Sequence, residues 1–254
     1  MTICKESVSA MPTSPSEHTF YMRPLPCALH ALDSEAGRRL FAEALLDGTM
    51  ASYFRLAQQF HTQSDPAYCG LGSLVSTLNA LGIDPARPWK GPWRWFSEEL
   101  LDCCKPLEEI RRLGLSLDEV ACLASCSGTD VALHRPGPDY GVDAFRAYVI
   151  ESSTREGAPL LIVNYSRQAL GQTGDGHFSP IGGYHAGSDS VLVLDTARFK
   201  YPPHWVPLEL LFAGMQARDG ATGQPRGWLG LRARLLDRGP VLSDSALQQH
   251  SCGI

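Results

Sequence analysis

A chain of 254 residues, 44% hydrophobic and 19% charged with a net charge of -5, can bury a sizeable core in one large domain or two small ones. The negative balance has no long like-charge runs, which argues against nucleic acid or an anionic membrane as the main partner and favours a small ligand or peptide. The longest apolar run, APLLIV at 158–163, is strand-sized, well short of the roughly 18 residues a membrane span needs. The N-terminal stretch MTICKESVSAMPTSPSEHTFYM lacks a hydrophobic signal core and carries Glu6 and Glu17, so a cytoplasmic protein is expected.

In chain order, residues 1–24 read as a mobile leader. The spacing of Leu40, Phe41, Ala44 and Leu45 predicts an amphipathic helix over 34–46 with Gly48 as its stop, and MASYFRLAQQF predicts a second helix ending near His61. Pro66 opposes helix, whereas Leu71, Leu74, Val75, Leu78 and Leu81 recur at helical spacing up to Gly82, so a third helix begins close to Cys69. PWKGPWRWF at 88–96 holds three tryptophans among prolines and a glycine and reads as a rigid loop packed on the core surface. Residues 97–126 look mostly helical with a break near Gly114, and Cys122 and Cys126 fall four apart on one helical face.

The second half changes character. A helix over 143–151 precedes strands at APLLIVNYS, HFSPIGGYH and SVLVLDTARF, the last two joined by the turn-prone AGSD. Helix is expected again over 205–218 and a late strand in GWLGLRARLL at 227–236, with 237–254 as a tail. Helices first and an antiparallel sheet later is an α+β pattern, and no linker forces a domain boundary inside 25–236.

Eight cysteines stand at 4, 27, 69, 103, 104, 122, 126 and 252. Without a secretory signal they should mostly be reduced, which makes each a candidate for catalysis, metal binding or plain burial. Cys69 has the most to say. At a helix start its sulfur faces the first-turn N–H groups, and these together with the helix dipole lower a thiol's pKa. Gln63 lies six residues earlier, a spacing papain-like peptidases use to aim a side-chain amide at the oxyanion beside the nucleophile. His177 opens one strand of the hairpin and Asp195 lies near the end of the next, so the carboxylate could hold the imidazole in the tautomer that takes the cysteine's proton. With His177 as base, activity should fall at acid pH. Each residue alone has an ordinary structural explanation; the four agree in order and spacing.

The blocks QSDPAYCG, KGPWRWF, LDCC, GHFSPIGGYH and LDTARFKYPPHWVPL together resemble the catalytic domain of phytochelatin synthase, over about Leu25 to Arg234. The resemblance implies a papain-like fold over 25–236. Cys69 would be its nucleophile, His177 the base, Asp195 the orienting carboxylate and Gln63 the oxyanion partner. It also implies glutathione as substrate: Cys69 takes a γ-glutamylcysteinyl group, glycine leaves, and the acyl group passes to a second glutathione or a phytochelatin. Tyr68, Arg167, Gly176, Arg198, Lys200, Tyr201 and Asp219 are the substrate-binding candidates by this likeness, with fold-stabilising roles open for Arg198 and Tyr201.

No organic cofactor is implied. Activation by cadmium, zinc or similar thiophilic ions is, with Cys103, Cys104, Cys122 and Cys126 as candidate metal ligands and ordinary helix packing as the alternative. Their spacing is not that of a structural zinc cage. A second route needs no protein site: a metal–glutathione thiolate is itself the acceptor. A homodimer stays open. Two other functions compete: a hydrolase that only removes glycine from glutathione or its S-conjugates, and a non-catalytic thiolate metal-binding protein. The longer plant-type synthases carry a cysteine-rich C-terminal extension that this sequence does not show, which puts metal range in doubt.

Overall fold

The computed structural model describes residues 19–234. Its centre is the strand β3 (Leu160–Ser166), all seven residues of which are buried. Both faces of the strand are covered, and its side chains divide with the period of two that a strand imposes. Ile162 packs on one side with Leu229 and Leu231, while Leu161, Val163 and Tyr165 pack on the other with Phe145, Leu211 and Trp228.

Around it lie β1 (His30–Ala31), β2 (Thr129–His134), β4 (Gly176–His185), β5 (Ser190–Val193), β6 (His204–Pro207) and β7 (Gly227–Ala233). They form one antiparallel seven-stranded sheet in the order β1-β6-β5-β4-β3-β7-β2. The helices of the first half are α1 (Glu35–Leu46), α2 (Ala51–Ala57), α3 (Cys69–Ala80), α4 (Leu107–Leu113) and α5 (Leu117–Cys126). Among the described residues, α6 (Val142–Thr154) and α7 (Leu208–Gln216) follow in the second. The expected α+β order is therefore present. No helix among the described residues is long and apolar enough to cross a membrane.

Three differences from the sequence reading have physical causes. The 97–126 segment is not continuous helix: a 3-10 turn (Glu98–Leu100) is followed by irregular chain through the vicinal cysteines, and Gly114, with φ of 70°, ends α4. Residues 205–207, expected within a helix, pair with His204 as β6 between β5 and β1, and the helix begins only after Pro207. The edge strand β2 was not expected, because its half-buried TDVALH becomes a strand only through its six-residue ladder with β7. The end of the expected leader is tied down, since the Met22 and Arg23 N–H groups donate to the carbonyls of Phe199 and Lys200. Residues 1–18 and the tail 237–254 lie outside the described residues. In the tryptophan-rich loop Phe96 is buried, while Trp89, Trp93 and Trp95 remain exposed.

The helix that matters most is α3. Every residue from Gly70 to Asn79 is buried, so the helix runs through the middle of the domain. Small residues make that possible. A Cβ at Gly70 would come within 3.0 Å of Val120 and 3.1 Å of Leu115, so glycine here lets α5 approach the turn carrying Cys69.

Candidate active site

Cys69 is the first residue of α3, on a helix end that no side chain caps. The orphan N–H groups and dipole of that end favour negative charge at the sulfur. His177 sits near the start of β4, across from Tyr165 on β3. Its Nε2 donates to Asp195 Oδ1 at 2.8 Å, which leaves Nδ1 as the nitrogen that can serve the sulfur. Asp195 lies just beyond β5, brought back by the turn at Ala186–Ser188, and also accepts from the Ala197 N–H at 2.9 Å. The three residues expected from the sequence are thus brought together.

The electrostatics of the three are coupled. Burial pushes the Cys69 thiol up, but the facing His177, its hydrogen bond, the Phe178 N–H and the charge of Arg167 bring it below the ordinary thiol value. Burial and Arg167 push His177 down; Asp195 and the Cys69 thiolate more than offset them, so its pKa is raised. Asp195, despite its burial, is held far below the usual carboxylate range by His177 and Arg167. A lowered thiol facing a raised imidazole shifts the pair toward thiolate and imidazolium.

Gln63 is buried and fixed at both ends. Its N–H donates to the Thr196 carbonyl at 3.1 Å, and its Oε1 accepts from Thr196 Oγ1 at 3.1 Å, next to the triad carboxylate. Its Nε2 donates to the Asp65 and Pro66 carbonyls at 2.9 and 3.0 Å, in the turn leading to Cys69. To serve an oxyanion, the amide must release one of these carbonyls.

The other expected residues divide. Arg167 was expected at the substrate. It is buried and is not among the residues lining the Cys69 cleft, with Nη2 3.0 and 2.9 Å from the Asp195 oxygens and Nη1 donating to Gln172 Oε1 at 2.6 Å. Tyr201 is buried as well, beneath Arg167, its hydroxyl accepting from the Thr173 N–H at 2.9 Å. The reason is the same for both: the charge of Asp195 needs a second cation inside the fold, and Tyr201 floors it. Arg198 donates to Thr62 Oγ1 at 2.6 Å and covers Phe60, and Lys200 donates to the Thr173 carbonyl at 2.6 Å. The Tyr68 hydroxyl reaches the Leu107 carbonyl at 3.3 Å, so that side chain points toward α4.

Asp219 and Gly176 do line the cleft, of about 700 Å3, that holds Cys69. With them comes a residue the sequence reading missed. Arg226, 3% exposed, reaches Asp219 at 3.1 Å and Asp175 at 3.2 Å, and its Nε has no protein partner. A Cβ at Gly176 would run into this guanidinium, so glycine there makes its room. The signal was an arginine placed directly before the apolar strand GWLGL, where a charge without a task is costly. Gln172 and His204 were also missed. His204 Nδ1 donates to the Pro202 carbonyl at 2.8 Å, so its Nε2 accepts from Gln172 at 3.1 Å, and that turns the Gln172 oxygen toward Arg167.

The four cysteines expected as metal ligands meet outside the cleft. Cys103 and Cys104, in the chain before α4, form disulfides with Cys126 and Cys122 on α5. This differs from the expectation of reduced thiols, and the i, i+4 spacing on α5 explains it: one helix face offers a partner to each of two adjacent cysteines. Three of the sulfurs, of Cys103, Cys104 and Cys126, lie within 4.8 Å of one another.

A family model described as phytochelatin synthase matches residues 20–228. The chain is 53% identical over 207 residues to glutathione gamma-glutamylcysteinyltransferase 1 of Lotus japonicus, covering 81% of this chain and 40% of that one. To the same-named protein of Triticum aestivum it is 52% identical over 230 residues, 91% of this chain and 44% of that one. To the glutathione gamma-glutamylcysteinyltransferase of Schizosaccharomyces pombe it is 47% identical over 211 residues, with 83% and 50% covered. The chain therefore spans half or less of the length of these relatives.

Proposed function

The chain belongs to the phytochelatin synthase family, and from that premise we propose that it is a cysteine acyltransferase acting on glutathione. The Cys69 thiolate attacks the cysteinyl carbonyl carbon, and a carbon–sulfur bond forms as the carbonyl oxygen takes up negative charge. The Cys69 N–H and the Gln63 amide stabilise that oxygen. Collapse breaks the amide bond, and glycine leaves with the proton that His177 carries, giving a γ-glutamylcysteinyl thioester. The amine of a second glutathione then attacks the thioester, gives its proton to His177 and restores the thiolate.

The observation that carries this reading is the pairing, in one cleft, of Cys69 with Arg226 and Asp219. A γ-glutamyl head is a zwitterion, with a carboxylate and an ammonium on one carbon. Arg226 offers its charge and remaining N–H donors to the carboxylate, and Asp219 with Asp175 offers oxygens to the ammonium. An ordinary peptide substrate has no such group on a side-chain amide.

Metal activation fits best through the substrate. In disulfides the four outer cysteines present no thiolates, which soft ions require. A cadmium or zinc bis-glutathione complex instead brings an acceptor with blocked thiols, and transfer outruns hydrolysis when that amine is positioned and water is not.

The test is incubation with glutathione, with and without cadmium, following glycine and chain-lengthened thiols by mass spectrometry beside Cys69→Ser. Glycine with metal-stimulated oligomers, both lost in the variant, supports the synthase. Glycine without oligomers makes the chain a hydrolase of glutathione, and no glycine overturns the reading.

A further inference from the structure

The loop between α2 and α3 carries Gln63, and a carboxylate outside the cleft holds it in place. Glu98, on the 3-10 turn after the tryptophan-rich loop, is 6% exposed. Its two oxygens each accept the Ser64 N–H at 3.2 Å, and Oε2 also accepts a short bond from Ser64 Oγ. His61 Nε2 lies 3.2 Å from Oε1. One buried side chain therefore fixes the residue directly after Gln63 and lies against the His61 ring two residues before it.

Glu98 is itself rigidly mounted. Two residues earlier, Asn79 of α3 grips the Phe96 backbone from both sides, donating to its carbonyl at 3.0 Å and accepting its N–H at 3.2 Å. Gly72, one turn into α3, lies beneath the same contact: a Cβ there would come within 3.2 Å of Gln63 Cβ and 3.4 Å of Glu98 Oε1. The helix that bears the nucleophile thus closes around both residues. Packing alone would not call for a buried carboxylate, since removing such a charge from water is costly unless donors surround it. Here the donors come from the residue directly after Gln63.

We propose that Glu98 is a positioning residue for the oxyanion side of the site, acting through Ser64 on Gln63. It does not touch substrate. Its carboxylate sets where the Gln63 amide stands relative to the Cys69 sulfur. This inference rests on the assignment of Cys69 and Gln63 above, but not on glutathione as the substrate.

The test therefore uses an acyl donor indifferent to that substrate. Single-turnover acylation of Cys69 by p-nitrophenyl acetate releases p-nitrophenolate, and its rate is measured for the wild-type protein, Glu98→Gln, Gln63→Ala and the double variant. Glu98→Gln should acylate about tenfold more slowly, since small misplacements of catalytic groups carry penalties of that order. In the Gln63→Ala background the same change should cost less than twofold, because its route of action is gone. Equal penalties in both backgrounds, or no penalty in either, would overturn the inference. If Glu98→Gln does not fold, Ser64→Ala serves the same cycle, with a slowing of about threefold that vanishes without Gln63. No burst from the wild-type protein, with a burst absent at every pH, removes the Cys69 assignment and this inference together. A burst without glycine release from glutathione removes only the substrate.

Discussion

Arg167 and Asp195 form an ion pair inside the protein, with one guanidinium nitrogen 3.0 and 2.9 Å from the two carboxylate oxygens. The carboxylate that orients His177 thus answers to two cations. Arg167 does more than neutralise a buried charge: it lowers the pKa of both the Cys69 thiol and the His177 imidazole. Replacing it with methionine should move both limbs of the pH–kcat/KM profile toward alkaline pH. It should also cost about 3 kcal/mol of stability, the usual penalty for leaving a buried charge alone. Arg167→Lys should restore part of each. A Met variant with unmoved limbs would place Arg167 outside the electrostatics of the triad.

The pH dependence has two limbs, and the directions of the two shifts say which group sets each. Protonation of a neutral His177 was expected to end activity at low pH. With the thiol's pKa lowered and the imidazole's raised, both shifts favour thiolate and imidazolium as the active pair. Activity then rises as pH climbs through the lowered pKa of the pair and falls as it passes the raised one. Alkylation of Cys69 by iodoacetamide should follow the acid limb, with thiolate still reactive well below the pH at which a free cysteine would be protonated. Reactivity that rises only near the ordinary thiol pKa would sink the ion-pair assignment.

Arg226 and Asp219 should govern binding of the γ-glutamyl head. Arg226→Met and Asp219→Asn are expected to raise KM for glutathione by at least about tenfold, in line with about 1.5–3 kcal/mol for a charged hydrogen bond. The rate of acylation by p-nitrophenyl acetate, which has no such head, should change by less than about threefold. Equal losses with both donors would mean that these residues hold the fold and not the substrate.

Cys103, Cys104, Cys122 and Cys126 should resist alkylation in the native protein until a reductant is added, unlike Cys69. Each bridge closes a loop of roughly twenty residues, 23 and 18 apart in sequence, so reduction should lower stability to urea by about 3 kcal/mol per bridge. Cadmium stimulation should persist with both bridges intact. If it appeared only after reduction, the metal would act at these sulfurs and not through the glutathione thiolate.

Much of this site was legible in the chain because its signals are local. A proline-broken turn before an apolar period places Cys69 at a helix start, and two apolar runs around AGSD make the hairpin that carries His177 and Asp195. Helices close their own hydrogen bonds within a few residues, so their ends are written nearby. The α+β order of elements follows from the same periodicities.

What the sequence could not decide were the pairings between distant segments. β2 and β6 are strands only because β7 and β5 lie beside them, and a short half-buried stretch has no period strong enough to say so. Arg167 looked like a substrate ligand, since an arginine's partner is invisible until the fold brings Asp195 to it across 28 residues. The same holds for Arg226 between Asp175 and Asp219, for Glu98 beneath Ser64, and for Cys122 and Cys126, whose spacing predicted a shared face but not their partners Cys104 and Cys103. The sequence by itself determined that Cys69 stands at a helix start and that His177 and Asp195 share a hairpin, because helix ends and hairpins are local. Which charges stand behind them was decided only by tertiary structure, because a buried charge is held by whatever the fold packs against it.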